Sequence, residues 1–255
     1  EPTQRAAEKA EWSSKRGKLP KNKGIGMGCV AIMTGFPMGF RSGSSCYVKL
    51  NDDGHATVVT GIVDNGQGND SMAVQIASEV LGIPMEDINL VSADTEVTNL
   101  DPGAYSQAAA FVGGNAVKKA CEDARNQVLA LASEKLNEAV EDLDLQNRMV
   151  ICLRNAEKKI PISWITREAF FRAKPIAGAG SYIPKIDFDR EWISKPFGQM
   201  AGTYSFGTSV AEVEIDEETG KILMPRFVTA HDCGKAINPM AVEGQMEGSV
   251  QQAGV

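Results

Sequence analysis

Gln67 is the side chain with the most chemical promise in this 255-residue chain, set between two glycines in the stretch Gly61-Ile-Val-Asp-Asn-Gly-Gln-Gly-Asn-Asp70. Its carboxamide both donates and accepts hydrogen bonds, so it could read a polar ring or an oxo group. Gly66 and Gly68 let the backbone reach positive φ and bring bare N–H groups close to a ligand. An alternating, strand-like run stops at this turn and an amphipathic helix begins after it, and the first amides of a helix have no acceptor within it. That combination suits an anion, a phosphate above all. The alternative for a lone Gly-Gln-Gly is a tight turn that binds nothing.

Metal chemistry has few ligands to draw on. There are two histidines, His55 and His231, and five cysteines, Cys29, Cys46, Cys121, Cys152 and Cys233, none of them in a CxxC pair. Their odd number and wide spacing argue against disulfides, zinc sites and iron–sulfur ligation within the chain, and the cysteines read as reduced, mostly buried thiols. Any metal has to arrive on a cofactor that carries its own ligands. Net charge is −7 and mixed in sign, with no lysine or arginine block interleaved with aromatics, which sets nucleic acid aside as a partner. No run approaches the ~18 apolar residues of a membrane span, and the start of the chain lacks the charged-then-apolar order of a secretory signal. The cytoplasm is the expected compartment. With 43% hydrophobic residues the chain can bury one or two cores.

The elements that must position the turn follow from pattern. Residues 1–23 read as a short helix and a basic linker belonging to an upstream domain. Gly24-Ile-Gly-Met-Gly28 leads into an apolar strand over 29–34. It is not a dinucleotide turn, because no helix follows and no acidic residue stands about 20 positions on. Residues 44–50 and 56–63 alternate around Asn51-Asp-Asp-Gly54, which predicts a hairpin. Asn69, Asp70 and Ser71 offer N-cap oxygens to a helix carrying Met72, Ile76, Val80 and Leu81, stopped by Gly82 and Pro84. A strand at 88–92 leads to Asp94-Thr95 and to the small-residue loop Asp101-Pro-Gly-Ala-Tyr-Ser-Gln-Ala-Ala-Ala110. A long helix then runs from about Ala116 to Leu136. Residues 141–200 read as an irregular surface excursion, with a strand near 149–153, a short helix at 164–173, then the stretch Gly178-Ala-Gly-Ser-Tyr182 and a Pro-interrupted loop.

The last part repeats the first. Strands at 208–215 and 222–230 flank the turn Asp216–Gly220, Asp232-Cys-Gly234 turns sharply, and a helix spans 239–250. Even the turns correspond, Asp64-Asn65-Gly66 with Asp232-Cys233-Gly234. The expected fold is α+β, with a first unit at 24–140, the excursion at 141–200 and a second unit at 201–255, two similar ββα units whose glycine turns could converge on one elongated ligand.

Several motifs in this order resemble one family. They are Gly66-Gln-Gly68 with Gln75-Ile-Ala and Leu81-Gly-Ile-Pro84, Asp94-Thr95, Tyr105-Ser106 before Gly114-Asn-Ala-Val117, Ala211-Glu-Val-Glu-Ile-Asp216 before Thr219-Gly220, and Asp232-Cys-Gly-Lys-Ala-Ile-Asn-Pro239 before Glu243-Gly-Gln-Met-Glu-Gly248. Together they are similar to the molybdopterin-binding large subunit of the xanthine oxidase and aldehyde oxidase family. The bacterial 4-hydroxybenzoyl-CoA reductase alpha subunit and the nicotinate dehydrogenase molybdopterin subunit come nearest in character.

The resemblance implies molybdopterin with molybdenum as cofactor, in bacteria usually molybdopterin cytosine dinucleotide. It further implies iron–sulfur clusters and FAD on other subunits, a complementary molybdopterin-binding segment, and an aromatic or heteroaromatic small-molecule substrate. It assigns Gln67 to the molybdenum oxo group or the pterin, with Gly66 and Gly68 giving backbone access. Ser106 and Gln107 would contact the pterin or its phosphates, Gln245 would hydrogen-bond the pterin, and Asp232 and Asn238 would shape its loop. Two departures stand out. Many relatives have a serine–arginine pair in the stretch that here reads Ser106-Gln-Ala-Ala-Ala110, and the family's catalytic glutamate lies in a motif beyond Val255. The chain is therefore expected to be a piece of a larger molybdenum hydroxylase, inactive by itself. An inert scaffold with the same fold and no cofactor is the alternative.

Overall fold

The computed structural model describes residues 1–35, 43–101, 103–185 and 201–253. Pro102 of the small-residue loop, residues 186–200 of the expected excursion, and Gly254 and Val255 lie outside them. The elements are α1 (Pro2–Lys9), α2 (Trp12–Lys15), β1 (Lys23–Thr34), β2 (Ser44–Leu50), β3 (Ala56–Thr60), α3 (Asn69–Leu81), β4 (Ile88–Ser92), a π-helical turn (Ala109–Gly113) and α4 (Gly114–Leu136). They continue as β5 (Leu143–Gln146), β6 (Met149–Cys152), β7 (Asn155–Pro161), α5 (Ile162–Phe171), β8 (Ala177–Tyr182), β9 (Thr203–Ile215), β10 (Ile222–Asp232) and α6 (Pro239–Ala253). The class is α+β, as expected. Contacts gather into two compact units, residues 35–202 and the pairing of 1–34 with 203–255.

The unit of residues 35–202 is built on a sheet in the order β4-β3-β2-β8. The predicted hairpin forms in the register Val48↔Val58, turned by Gly54 at φ +91°. Period-two alternation puts Cys46, Val48, Leu50, Ala56 and Val58 on one face, and α3 and α4 cover it with Ala73, Ala77, Ala120 and Val128. β4 lies parallel to β3, so α3 is the crossover of a β-α-β unit. β5, β6 and β7 form a second, antiparallel sheet whose Leu143, Leu145 and Val150 extend the same core beside Ile162 and Ile165 of α5.

Residues 141–185 are therefore not an irregular excursion. Gly178 to Tyr182, placed within that excursion, belong to the edge strand β8, paired with β2 at Cys46↔Gly180. Its glycines serve close approach: a Cβ at Gly178 would meet the Ala120 carbonyl oxygen at 2.0 Å and one at Gly180 the Ala120 nitrogen at 2.3 Å. Ala116, Ala120 and Ala124, all fully buried, form the matching small-residue face of α4.

The other unit is a three-stranded antiparallel sheet, β1-β9-β10, in the register Met27↔Val210↔Val228. The first residues are part of it rather than the tail of an upstream domain. α1 and the residue that caps it lay Ala6 and Ala10 on Val210, with Trp12, Ile25, Met27, Val228 and Ala230 around them. Lys15 fastens this end to β9 through Glu212 at 2.7 Å. Here the strand–turn–strand–turn–helix order of the repeat is present, but the helices differ in packing. α3 buries Met72, Ala73, Ala77 and Leu81, whereas α6 buries no residue. No helix among the described residues is long and apolar enough to cross a membrane.

Candidate functional site

The glycine turn does form where strand gives way to helix. Gly66 and Gly68 both adopt left-handed backbones, φ +104° and +84°, which favour glycine. The amides that the turn was expected to offer an anion are taken, however. Asp64 Oδ1 accepts from the Gly66 amide at 2.7 Å and the Gly68 amide at 3.3 Å, and Asp64 Oδ2 accepts from the Asp70 amide at 3.1 Å. These donors, the Asp70 amide foremost, hold the Asp64 carboxyl below the ordinary carboxylate range. The N-cap residue of α3 is Gly68, and none of Asn69, Asp70 and Ser71 caps it through a side chain; Asp64 does that work from upstream. The phosphate-cradle expectation is thus corrected by an internal anion.

Gln67 folds back on its own loop, accepting from the Asn65 amide at 2.6 Å and donating to the Val63 carbonyl at 3.3 Å. Asn69 donates to the same carbonyl at 2.8 Å. Along α3, Asp70 Oδ1 and Gln75 Oε1 are buried acceptors with no hydrogen-bond partner.

Ser106 and Gln107 sit in the same unit, on a neighbouring loop. Both have left-handed backbones, φ +46° and +51°, an unusual pair for residues with side chains. Strain of this kind, at about 1–3 kcal/mol per residue, gathers where function constrains the chain. The Ser106 carbonyl accepts from the Gly35 amide at 2.7 Å, and the π-helical turn that follows is a second irregularity of the sort found at functional sites. The loop and the glycine turn are tied together through the residues after β3. A Cβ at Gly61 would meet the Asn99 carbonyl at 2.3 Å, and one at Gly113 would meet Ile62 Cδ1 at 2.6 Å. Asp101 anchors the loop from β2, accepting from Ser44 Oγ at 2.6 Å.

The remaining candidates belong to the other unit. Asp232 Oδ1 accepts from the Gly234 amide at 3.0 Å, the same turn bond that Asp64 makes with Gly66. Asn238 caps α6 by accepting the Ala241 amide at 3.2 Å. Gln245 lies exposed on α6, as do its neighbours Glu243 and Glu247. Among the described residues no group of three or more His, Cys, Asp or Glu side chains could hold a metal ion. A cleft of about 750 Å³ opens elsewhere, beside Gly82, Arg125, Asp144 and Arg148. Its two arginines are already paired, Arg125 with Asp144 and Arg148 with Asp87, each at 2.6 Å.

Asp64 is the residue that sequence reasoning passed over. Its signal was an aspartate two positions before a glycine, present in both turns.

The chain matches the molybdopterin cofactor-binding domain pattern over residues 3–254. It belongs to that family. It is 30% identical to the probable hypoxanthine oxidase of Escherichia coli K12 over 248 residues, covering 96% of this chain and 24% of that protein. The nicotine 6-hydroxylase large subunit of Paenarthrobacter nicotinovorans is also 30% identical, over 80% of this chain and 24% of its own length. Quinoline 2-oxidoreductase of Pseudomonas putida 86 superposes with a TM-score of 0.77 at 26% identity, over 98% of this chain and 31% of that one. This molybdopterin-binding chain thus spans roughly a quarter of the length of the curated relatives it matches.

Proposed function

We propose that this chain supplies part of the cofactor cradle of a molybdenum hydroxylase that oxidises or reduces an aromatic or heteroaromatic substrate. The observation that carries the reading is the family match over residues 3–254. The donor and acceptor set fits a polar ring. Gln67 has a carboxamide held only by two bonds within its own loop, and Asp70 Oδ1 and Gln75 Oε1 are buried acceptors that lack donors. Ring N–H groups of a pterin would supply donors of that kind, whereas the filled amides of the turn leave it unsuited to phosphate. When bound, the molybdenum cofactor supplies oxygen-atom and electron transfer at a substrate carbon.

In this reading Gln67 orients the cofactor from the glycine turn, and Ser106 and Gln107 contact it from the strained corner before α4. Asp232, Asn238 and Gln245 contribute from the unit that carries β10 and α6. The stretch Ser106 to Ala110 lacks the arginine that many relatives carry there, so the contact that Gln107 offers the cofactor is neutral. The cofactor is molybdopterin in its cytosine dinucleotide form. The partners are a complementary molybdopterin-binding segment, an iron–sulfur subunit and a flavin subunit in a cytoplasmic complex.

The test is Gln67→Ala in the assembled enzyme. Removing a preorganised polar group at the reacting centre typically costs about 10²–10³ in kcat, while the fold should lose little because Gln67 bonds only within its loop. Loss of activity with an unchanged melting temperature supports the reading; full activity with full molybdenum content refutes it. The inert-scaffold reading draws on Gln67 being turned into its own loop, and it predicts no molybdenum in the purified complex.

A further inference from the structure

The glycine turn carries a resident anion. We propose that Asp64 is the positioning residue of this turn: its carboxylate holds the turn in its binding shape and closes it to phosphate, so that the ligand is read there through the Gln67 carboxamide. The last clause rests on the proposed molybdopterin reading; the closure to phosphate does not.

Three backbone amides, of Gly66, Gly68 and Asp70, converge on the two oxygens of one carboxylate. These are the donors that a phosphate would otherwise recruit at the start of a helix, and a bound carboxylate satisfies both their hydrogen bonds and the helix dipole. An external anion would have to displace a covalently tethered one, at an effective concentration that free phosphate does not match. It would also have to approach a like charge. The glycines at 66 and 68 make the arrangement possible, since both backbones are left-handed. With this loop shape fixed, the Asn65 amide and the Val63 carbonyl face the Gln67 side chain and set its direction. The twin turn is a useful contrast. Asp232 bonds the Gly234 amide alike, but the start of α6 is capped by a different residue, Asn238. Of the two, only the turn bearing a glutamine between glycines has one carboxylate spanning both the turn and the helix start.

The experiment is hydrogen exchange of the peptide covering residues 62–72 in the full chain, comparing wild type with Asp64→Ala, each with and without inorganic phosphate or formate. The expected result is exchange about tenfold faster or more in Asp64→Ala, the loss of at least one charge-assisted hydrogen bond. Phosphate or formate should restore protection in the variant and leave wild type unchanged. A merely structural role for Asp64 would not give rescue by a free anion. Should Asp64→Ala fail to fold, Asp64→Asn serves: it keeps one oxygen over Gly66 and Gly68 and turns a donor towards the Asp70 amide, so faster exchange should be confined to Asp70. Unchanged exchange in the variants, or protection of the wild-type turn by phosphate, overturns the proposal. Absence of molybdopterin from the assembled enzyme would overturn the functional reading while leaving this result intact.

Discussion

Gly178→Ala puts a number on the contact between β8 and α4. The added Cβ would lie 2.0 Å from the Ala120 carbonyl oxygen and 2.7 Å from the Ala124 nitrogen, whereas real Cβ contacts essentially never fall below 3.0 Å. Both obstacles are backbone atoms of a helix whose Ala116, Ala120 and Ala124 are fully buried, so no side chain can swing aside. The strand has to retreat by about 1 Å, and a gap of that size forfeits about a quarter to a half of the dispersion attraction across it. Overpacked cores lose about 1–3 kcal/mol, and the backbone-on-backbone contact puts this one near the top, at about 3 kcal/mol. For a domain of this size that is a fall in melting temperature of about 6–12 °C. Thermal and urea unfolding followed by circular dichroism reads it. Gly28→Ala is the control, because a Cβ there meets nothing within 4 Å and the change should stay within about 0.5 kcal/mol. A Gly178→Ala chain as stable as the control would refute the packing argument.

Two further outcomes are expected. Arg148 donates to Asp87 at 2.6 and 3.0 Å and holds its carboxyl below the usual value near 3.8; a lowered folded pKa means that the stabilisation is present above that pH and is lost as pH falls through the folded value. Arg148→Gln should therefore flatten the acid arm of the melting curve below about pH 4, and only slightly, because Arg148 is half exposed and solvent screens the pair; an unchanged acid arm would refute the linkage. Thiol labelling should find two fast cysteines in the native chain, Cys29 and Cys233, and three that react only on unfolding, Cys46, Cys121 and Cys152. Burial pushes the Cys46 thiol up to about 12 and raises Cys121 as well, while hydrogen bonds from Thr208 and Thr3 lower Cys29, so Cys29 should lead. A third fast thiol in the native chain would contradict that burial.

The sequence by itself determined the elements whose signal is local. Alternation fixed the hairpin of β2 and β3 and its counterpart in β9 and β10, because a period of two decides which residues face a core. Helical spacing located α3 and α4, with Gly82 ending α3, and the ordered motifs around Gln67, Ser106, Asp232 and Gln245 carried the family, which the match over residues 3–254 bears out. Tertiary structure alone decided the rest, and the reason in each case is a long-range partner. Gly178-Ala-Gly180 is a strand because α4 presents an alanine face that only glycines can approach. The first 34 residues join the last 53 because β1 pairs with β9 across the intervening fold. At the candidate site the residue types were legible, but the owner of the turn's amides was not. A glycine turn reads as an open anion seat until the side chain filling it is seen, and here Asp64 fills it from within the same ten residues.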